Sequence, residues 1–247
     1  MRPTTSSAVG IGVGAGAVGA RTRTASTMDV AHALAADGAP AGLLVVADRQ
    51  HQGRGRGGNR WESRDGAGLW MTLIERPVDQ RVIGVLALRL GLAIADALDP
   101  LVEDRIQLKW PNDVMTGRGK VAGILVEARW RNASVDWVAV GIGINRRVPP
   151  EIKSAAAVRE GVSRARLLEA VVPRLRAAVS VQGQLSDTSS RLACARLRAW
   201  SPYCCAARRP GCRHRGGWGP VGGRCHRRCR RGRARRLPWC LTTRPDP

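Results

Sequence analysis

Residues 50–63, QHQGRGRGGNRWES, hold the chain's densest set of groups able to do chemistry. Gly53, Gly55, Gly57 and Gly58 alternate with or follow Arg54 and Arg56. Glycine admits close backbone approach to an anion and φ > 0 conformations. Arginine adds a planar fork of donors matched to carboxylate and phosphate. Together they read as an ordered basic loop that wraps a small anionic group. Gly-Arg repeats are more often solvated segments, frequently with RNA as partner. Position argues otherwise here: the loop follows an apolar strand at Leu43–Ala47 and is closed by Trp61 before another strand near Leu69–Ile74.

A second glycine–basic run, Gly117-Arg118-Gly119-Lys120, follows the turn Pro111-Asn112-Asp113. Ser26 and Thr27 precede a short helical stretch, Met28–Ala36, where either hydroxyl serves as N-cap and the helix N-terminus also suits an anion. A formal G-x-G-x-x-G at Gly14, Gly16 and Gly19 lacks the preceding strand that a dinucleotide fingerprint needs. Residues 1–20 therefore read as a low-complexity, disordered leader, and a misplaced start codon would account for it.

The elements that must position these groups alternate without a strict βαβ rhythm. Strands are expected at 69–75, 105–110, 121–128 and 135–144, the last two paired through a turn at Arg131–Ser134. Apolar spacing through Ile83, Leu86, Leu90 and Ile94 gives a helix over Val82–Leu98, with Pro100 just after it. Ser163 is placed to cap a helix over Arg164–Val181, with a kink or break at Pro173. This pattern gives an α+β fold with a mixed or antiparallel sheet packed with helices.

Charge separates the chain into two parts. Of 41 basic and 19 acidic residues, 16 arginines and one acid lie from Arg191 onward, leaving 25 and 18 to residues 1–190. The net charge of +22 is thus largely a property of the tail, and so are all seven cysteines, Cys194 to Cys240. A body without cysteine gives no sign of a disulfide framework. No apolar run reaches the roughly 20 residues that span a bilayer, and the expected location is cytoplasmic. Cys212, His214, Cys225, His226 and Cys229 are possible metal ligands, but their spacing matches no finger pattern, and no metal held by protein ligands alone is expected. The Arg/Cys/Gly/Pro/Trp mixture of 186–247 fits a GC-rich gene read in a shifted frame better than a zinc module. As a disordered tail it would bind nucleic acid only non-specifically.

Taken in order, five motifs resemble the biotin protein ligases. They are Ser26-Thr27; Gly53 to Asn59 with Trp61; Lys109-Trp110-Pro111-Asn112-Asp113; Gly119 to Glu127 (GKVAGILVE); and Gly141-Ile142-Gly143-Ile144-Asn145. The resemblance covers about residues 24–148, and each motif alone is weak. It implies a biotin/lipoate ligase-like catalytic domain over 21–185, with the anomalous tail standing where the family has a small SH3-like barrel. It further implies activation of biotin by Mg-ATP to biotinoyl-5′-AMP, then transfer to a lysine of a biotin carboxyl carrier protein.

Residue by residue, the resemblance puts Ser26, Thr27 and Gln50 at the ureido end of biotin. Arg54, Gly55 and Arg56 would hold its carboxylate and then the adenylate phosphate. Lys120 would contact the reacting oxygens, Gly123 would line the biotin pocket, and Trp61 would pack over the loop. Asn112 and Asn145 are expected near the nucleotide, and Asp113 orients the incoming amine or the metal. Met28 stands where many members have Asn, and Arg64 where a proline often follows Ser63. No helix-turn-helix is seen, which implies a ligase without specific DNA binding, a monomer or weak homodimer. The rival readings are a lipoate ligase, a biotin-binding remnant without turnover, and an arginine-rich nucleic-acid-binding protein.

Overall fold

The computed structural model describes residues 18–76, 83–148, 152, 154–180 and 196. Its strands are β1 (Val18–Thr24), β2 (Leu44–Gln50), β3 (Gly68–Glu75), β4 (Gln107–Lys109), β5 (Asp113–Thr116), β6 (Gly119–Arg131) and β7 (Ser134–Asn145). Its helices are α1 (Thr27–Ala36), α2 (Ile83–Leu98) and α3 (Arg164–Ser180). Among the described residues the strands form one sheet in the order β1-β2-β3-β7-β6-β5-β4. Only β1 and β2 run parallel; every other neighbouring pair is antiparallel. The α+β fold with a mixed sheet is therefore as expected.

Both faces of the sheet are covered, which explains the near-continuous apolar runs of its central strands. Leu44, Val46, Leu69, Met71, Leu73, Val140, Ile142 and Ile144 join the main core with the apolar faces of α2 and α3. The alternate residues Leu43, Val45, Ile74 and Trp137 form a smaller core under α1. Burying each large aliphatic side chain contributes about 1.5–3 kcal/mol, so these two layers fix the register that sets the site.

Strand β7 carries that register into function. Its sequence VAVGIGI puts Val140, Ile142 and Ile144 on the α2/α3 face and leaves Ala139, Gly141 and Gly143 to the α1 face. On β6, Gly123 pairs with Gly143. The α1 face of the sheet is thus stripped of side chains at its centre, and a cleft opens beside the α1 N-terminus.

Several expectations are corrected. The leader does not run to residue 20: β1 starts at Val18 and pairs with β2, so Gly19 lies in an edge strand. VGARTRT lacks apolar alternation because an edge strand buries little. Residues 1–17 lie outside the described residues. Residues 113–116 form β5, whose four residues between Pro111 and Gly117 are too few to show a pattern. Strand β6 begins at Gly119, so Lys120 sits on a strand rather than in a loop. Helix α3 passes through Pro173 as one element. Its buried stripe Leu167, Leu168, Val171, Val172 and Leu175 continues across the proline, and packing against α2 offsets the lost backbone hydrogen bond. Of the tail, only Arg196 is described. Its guanidinium bonds Asp96 (3.0 Å) and Asp99 (2.8 Å) at the end of α2, and the Asp99 hydrogen bond holds its pKa above the usual arginine value. The frameshift and disorder expectations otherwise fall outside the described residues. No described helix is long and apolar enough to cross a membrane.

Candidate active site

The glycine–arginine segment is an ordered loop closed by its own backbone. Gly55 N–H donates to Asn59 O (2.7 Å) and Trp61 N–H to Gly53 O (2.8 Å). Residues 56–58 make a 3₁₀ turn in which Gly57 and Gly58 have φ of +67° and +79°, the reason glycine is needed there. At its base, Ser63 Oγ accepts from Gln50 N (2.7 Å) and donates to Gln50 O (2.9 Å), tying the loop's exit to its entry.

The loop faces a cleft of about 620 Å³, within the range of small-molecule sites. One end is polar and neutral. Ser26 is the N-cap of α1, its Oγ accepting from Met28 N (3.2 Å). Thr72 Oγ1 donates to Thr27 Oγ1 (2.9 Å), which donates to Gln50 Oε1 (3.1 Å); Thr27 N–H donates to the same oxygen (2.8 Å). This chain consumes the Gln50 carbonyl and leaves its amide nitrogen as the group that can serve a ligand. Met28 fills the space above Gly141, where a methyl carbon would lie 2.7 Å from its sulfur.

The other end is cationic. Arg54, Arg56, Arg60 and Lys120 line it, against one lining carboxylate, Asp113. Lys120 Nζ lies 2.6 Å from Asp113 Oδ1 and 4.9 Å from the Trp61 ring centroid. Trp61 lies over Gly123 and Gly143, where methyl carbons would come within 2.6 and 2.4 Å of its ring. It meets Trp70 edge-on with centroids 6.0 Å apart. Trp61 Nε1 is buried and has no hydrogen-bond partner among the described residues.

Of the residues singled out in the sequence, Ser26, Thr27, Gln50, Arg54, Gly55, Arg56, Trp61, Asn112, Asp113, Lys120 and Gly123 all line this cleft. Asn112 Nδ2 donates to Ile124 O (2.9 Å), clamping β5 onto β6. Asn145 is not among the lining residues. Its Nδ2 donates to Lys120 O (3.0 Å) and Ala156 O (3.2 Å), which fixes the backbone that carries Lys120. The sequence reading gave no role in the site to Thr72 or Ser63, and named Gly143 only within its motif. Thr72 was visible as the polar residue within the apolar run of β3, and Gly143 through the large–small alternation of β7.

Fold and cleft define an α+β domain whose cleft is neutral and hydrogen-bonding at one end and cationic at the other. The model of the biotin/lipoate A/B protein ligase family matches residues 18–145, and the chain belongs to that family. It is 36% identical over 158 residues to the bifunctional ligase/repressor BirA of Bacillus subtilis (60% of this chain, 49% of that one). It is 40% identical over 133 residues to the biotin–[acetyl-CoA-carboxylase] ligase of Paracoccus denitrificans (52% of this chain, 53% of that one). Among solved structures it resembles the biotin protein ligase of Aquifex aeolicus in complex with biotin and ATP. That match has 34% identity and a TM-score of 0.55, covering 66% of this chain and 69% of that one. The chain spans about half the length of the curated relatives it matches.

Proposed function

We propose that the chain is a biotin protein ligase that condenses biotin with ATP to biotinoyl-5′-AMP and passes the biotinoyl group to a lysine of a biotin carboxyl carrier protein. The observation that carries this reading is the polarity of one cleft: a neutral hydrogen-bonding end at Thr27 and Gln50, and a cationic end at Arg54, Arg56 and Lys120. Support comes from the A. aeolicus relative, whose complex contains biotin and ATP. The catalytic domain of this reading comprises residues 21–185 together with β1.

Gln50 and Ser26 bind the ureido group of biotin. Its apolar body runs over the glycine floor at Gly123 and Gly141 beside Met28. Its carboxylate meets Arg54 and Arg56, with backbone N–H groups around Gly55. That carboxylate must approach the α-phosphate of ATP, so two anions share one site. Fixed cations offset their repulsion and stabilise the charge that develops in transfer, which is the main term in such reactions. Lys120, held by Asp113 and the Trp61 face, supplies a point charge at the reacting oxygens. Asn112 and Trp61 border the nucleotide, and Asn145 acts through the Lys120 backbone. Mg²⁺ would come with the nucleotide, held mainly by phosphate and water, and would offset the phosphate charge. Asp113 is the lining carboxylate that fits it, and no cluster of three His, Cys, Asp or Glu occurs among the described residues.

In the second step Asp113 orients the incoming lysine amine, and the adenylate phosphate leaves into the same cationic end. No covalent enzyme nucleophile is needed, so positioning and fixed charge together carry the rate. Isothermal titration with biotin and with lipoate tests the pocket directly. Biotin should bind and lipoate should not; the reverse would move the chain to the lipoate branch of the family.

A further inference from the structure

Behind the cleft, a hydrogen-bonded chain runs from a buried tryptophan to the loop arginine. Trp137 Nε1 donates to His32 Nδ1 (2.9 Å). A tryptophan can only donate, so His32 Nδ1 is unprotonated and the ring proton sits on Nε2. Nε2 faces Glu127 Oε2 at 2.9 Å and donates to it. The same oxygen accepts from Arg54 Nη2 at 3.2 Å, and Asp29 Oδ1 lies 3.0 Å from that nitrogen. Arg54 is thus held by one corner, and its Nη1 and Nε have no hydrogen-bond partner among the described residues. Those are the donors left to present to an anion. Arg76 and Arg129 lie over the Trp137 ring at 5.0 and 5.8 Å, completing the charged groups that face the chain. His32, Glu127, Asp29 and Trp137 do not line the cleft, although Arg54 does.

We propose that His32 is a positioning residue for Arg54. It acts through Glu127, and its tautomer is fixed by Trp137. The role rests on the ligase reading only in that Arg54 receives the carboxylate of biotin. A histidine with both ring nitrogens committed orients Glu127, and Glu127 turns the free edge of the guanidinium into the cleft. Binding then does not have to order a loose arginine, so the affinity gained is that of preorganisation.

The test uses the full chain with His32→Leu, His32→Gln, Glu127→Ala and the His32→Leu/Glu127→Ala double variant. Glutamine carries an acceptor for Trp137 and a donor for Glu127, so it can stand in for the neutral ring. The first readout is the rate of tryptic cleavage after Arg54 in ligand-free protein, followed by mass spectrometry. The second is biotin affinity, with KM for biotin separated from kcat in pyrophosphate exchange. His32→Leu should raise the cleavage rate and the biotin Kd about tenfold each, the size of one charged hydrogen bond, with kcat nearly unchanged. His32→Gln should restore both, and the double variant should be no worse than Glu127→Ala alone. If His32→Gln is as impaired as His32→Leu, or if the two single effects add, the chain does not position Arg54. A wild-type protein that neither binds biotin nor exchanges would sink the ligase reading, while the proteolysis rates would still decide the role of His32. Glu127 is half-exposed, so Glu127→Ala keeps the test open if His32→Leu fails to fold.

Discussion

Lys120 and Asp113 form a 2.6 Å ion pair across the β5–β6 turn, and Lys120 is held at the same time over the face of Trp61. Both charges are partly shielded, with side-chain exposures of 30% and 19%. The pair therefore does more than an exposed surface bridge, which is worth about 0–1 kcal/mol. It aims a flexible lysine into the cleft. Lys120→Ala should lower biotin-dependent pyrophosphate exchange by about 10²-fold, the usual cost of one preorganised electrostatic donor. Circular dichroism should show the fold unchanged. Exchange within twofold of wild type would remove Lys120 from the chemistry.

The neutral end of the cleft gives a different signature. Gln50→Leu removes the ligand-facing amide and leaves two Thr27 donors without an acceptor. Biotin Kd should rise about 10- to 100-fold, as for the loss of a buried polar contact at roughly 1–3 kcal/mol. Thr72→Val touches only the outer end of that chain and should cost about 1 kcal/mol of stability with a smaller change in Kd. Calorimetry on the two variants separates the roles.

Glycine spacing predicts an asymmetry between two neighbours on β7. Gly143→Ala drives a methyl carbon into the rigid Trp61 ring at 2.4 Å, whereas Gly141→Ala meets the flexible end of Met28 at 2.7 Å. Overpacking against a rigid group costs about 1–3 kcal/mol, and here it displaces Trp61 from the Lys120 contact. Gly143→Ala should therefore impair exchange strongly, and Gly141→Ala should act mainly on biotin affinity. Equal effects of both substitutions on exchange would show that the Trp61 seat is not used.

Glu75, at the end of β3, is a carboxylate whose protonation is linked to stability. Burial pushes its pKa up, and attraction to Arg176 only partly opposes this. A raised folded pKa favours the protonated form in the native state. The stabilising contribution is full below the ordinary carboxylate range and is lost as pH rises through the folded value. Glu75→Gln should raise the melting temperature at neutral pH by at most about a few degrees and have no such benefit near pH 4. A melting temperature lowered at pH 7 and unchanged at pH 4 would mean that Arg176 outweighs the burial.

Much of this was legible in the residue string because the site is built from short, local motifs. Arg54, Arg56 and their glycines announce their backbone conformation, and Lys120 and Asp113 sit beside a turn. The central strands were legible because burial on both faces makes them continuously apolar. What the sequence concealed depends on pairing at a distance. Nothing local marks β1 as a strand, because its partner begins 26 residues later at Leu44. The His32–Glu127 contact joins residues 95 apart, and Trp137–His32 joins residues 105 apart. Pro173 does not end α3, because tertiary packing along a continuous apolar stripe overrides helix propensity.

The central claim is most directly tested by ATP–pyrophosphate exchange on the 247-residue chain with biotin as the acid and lipoate as control. The account predicts exchange that requires biotin, is absent with lipoate, and falls about 10²-fold in Lys120→Ala. Exchange supported by lipoate alone, or none with biotin while biotin still binds, would contradict it.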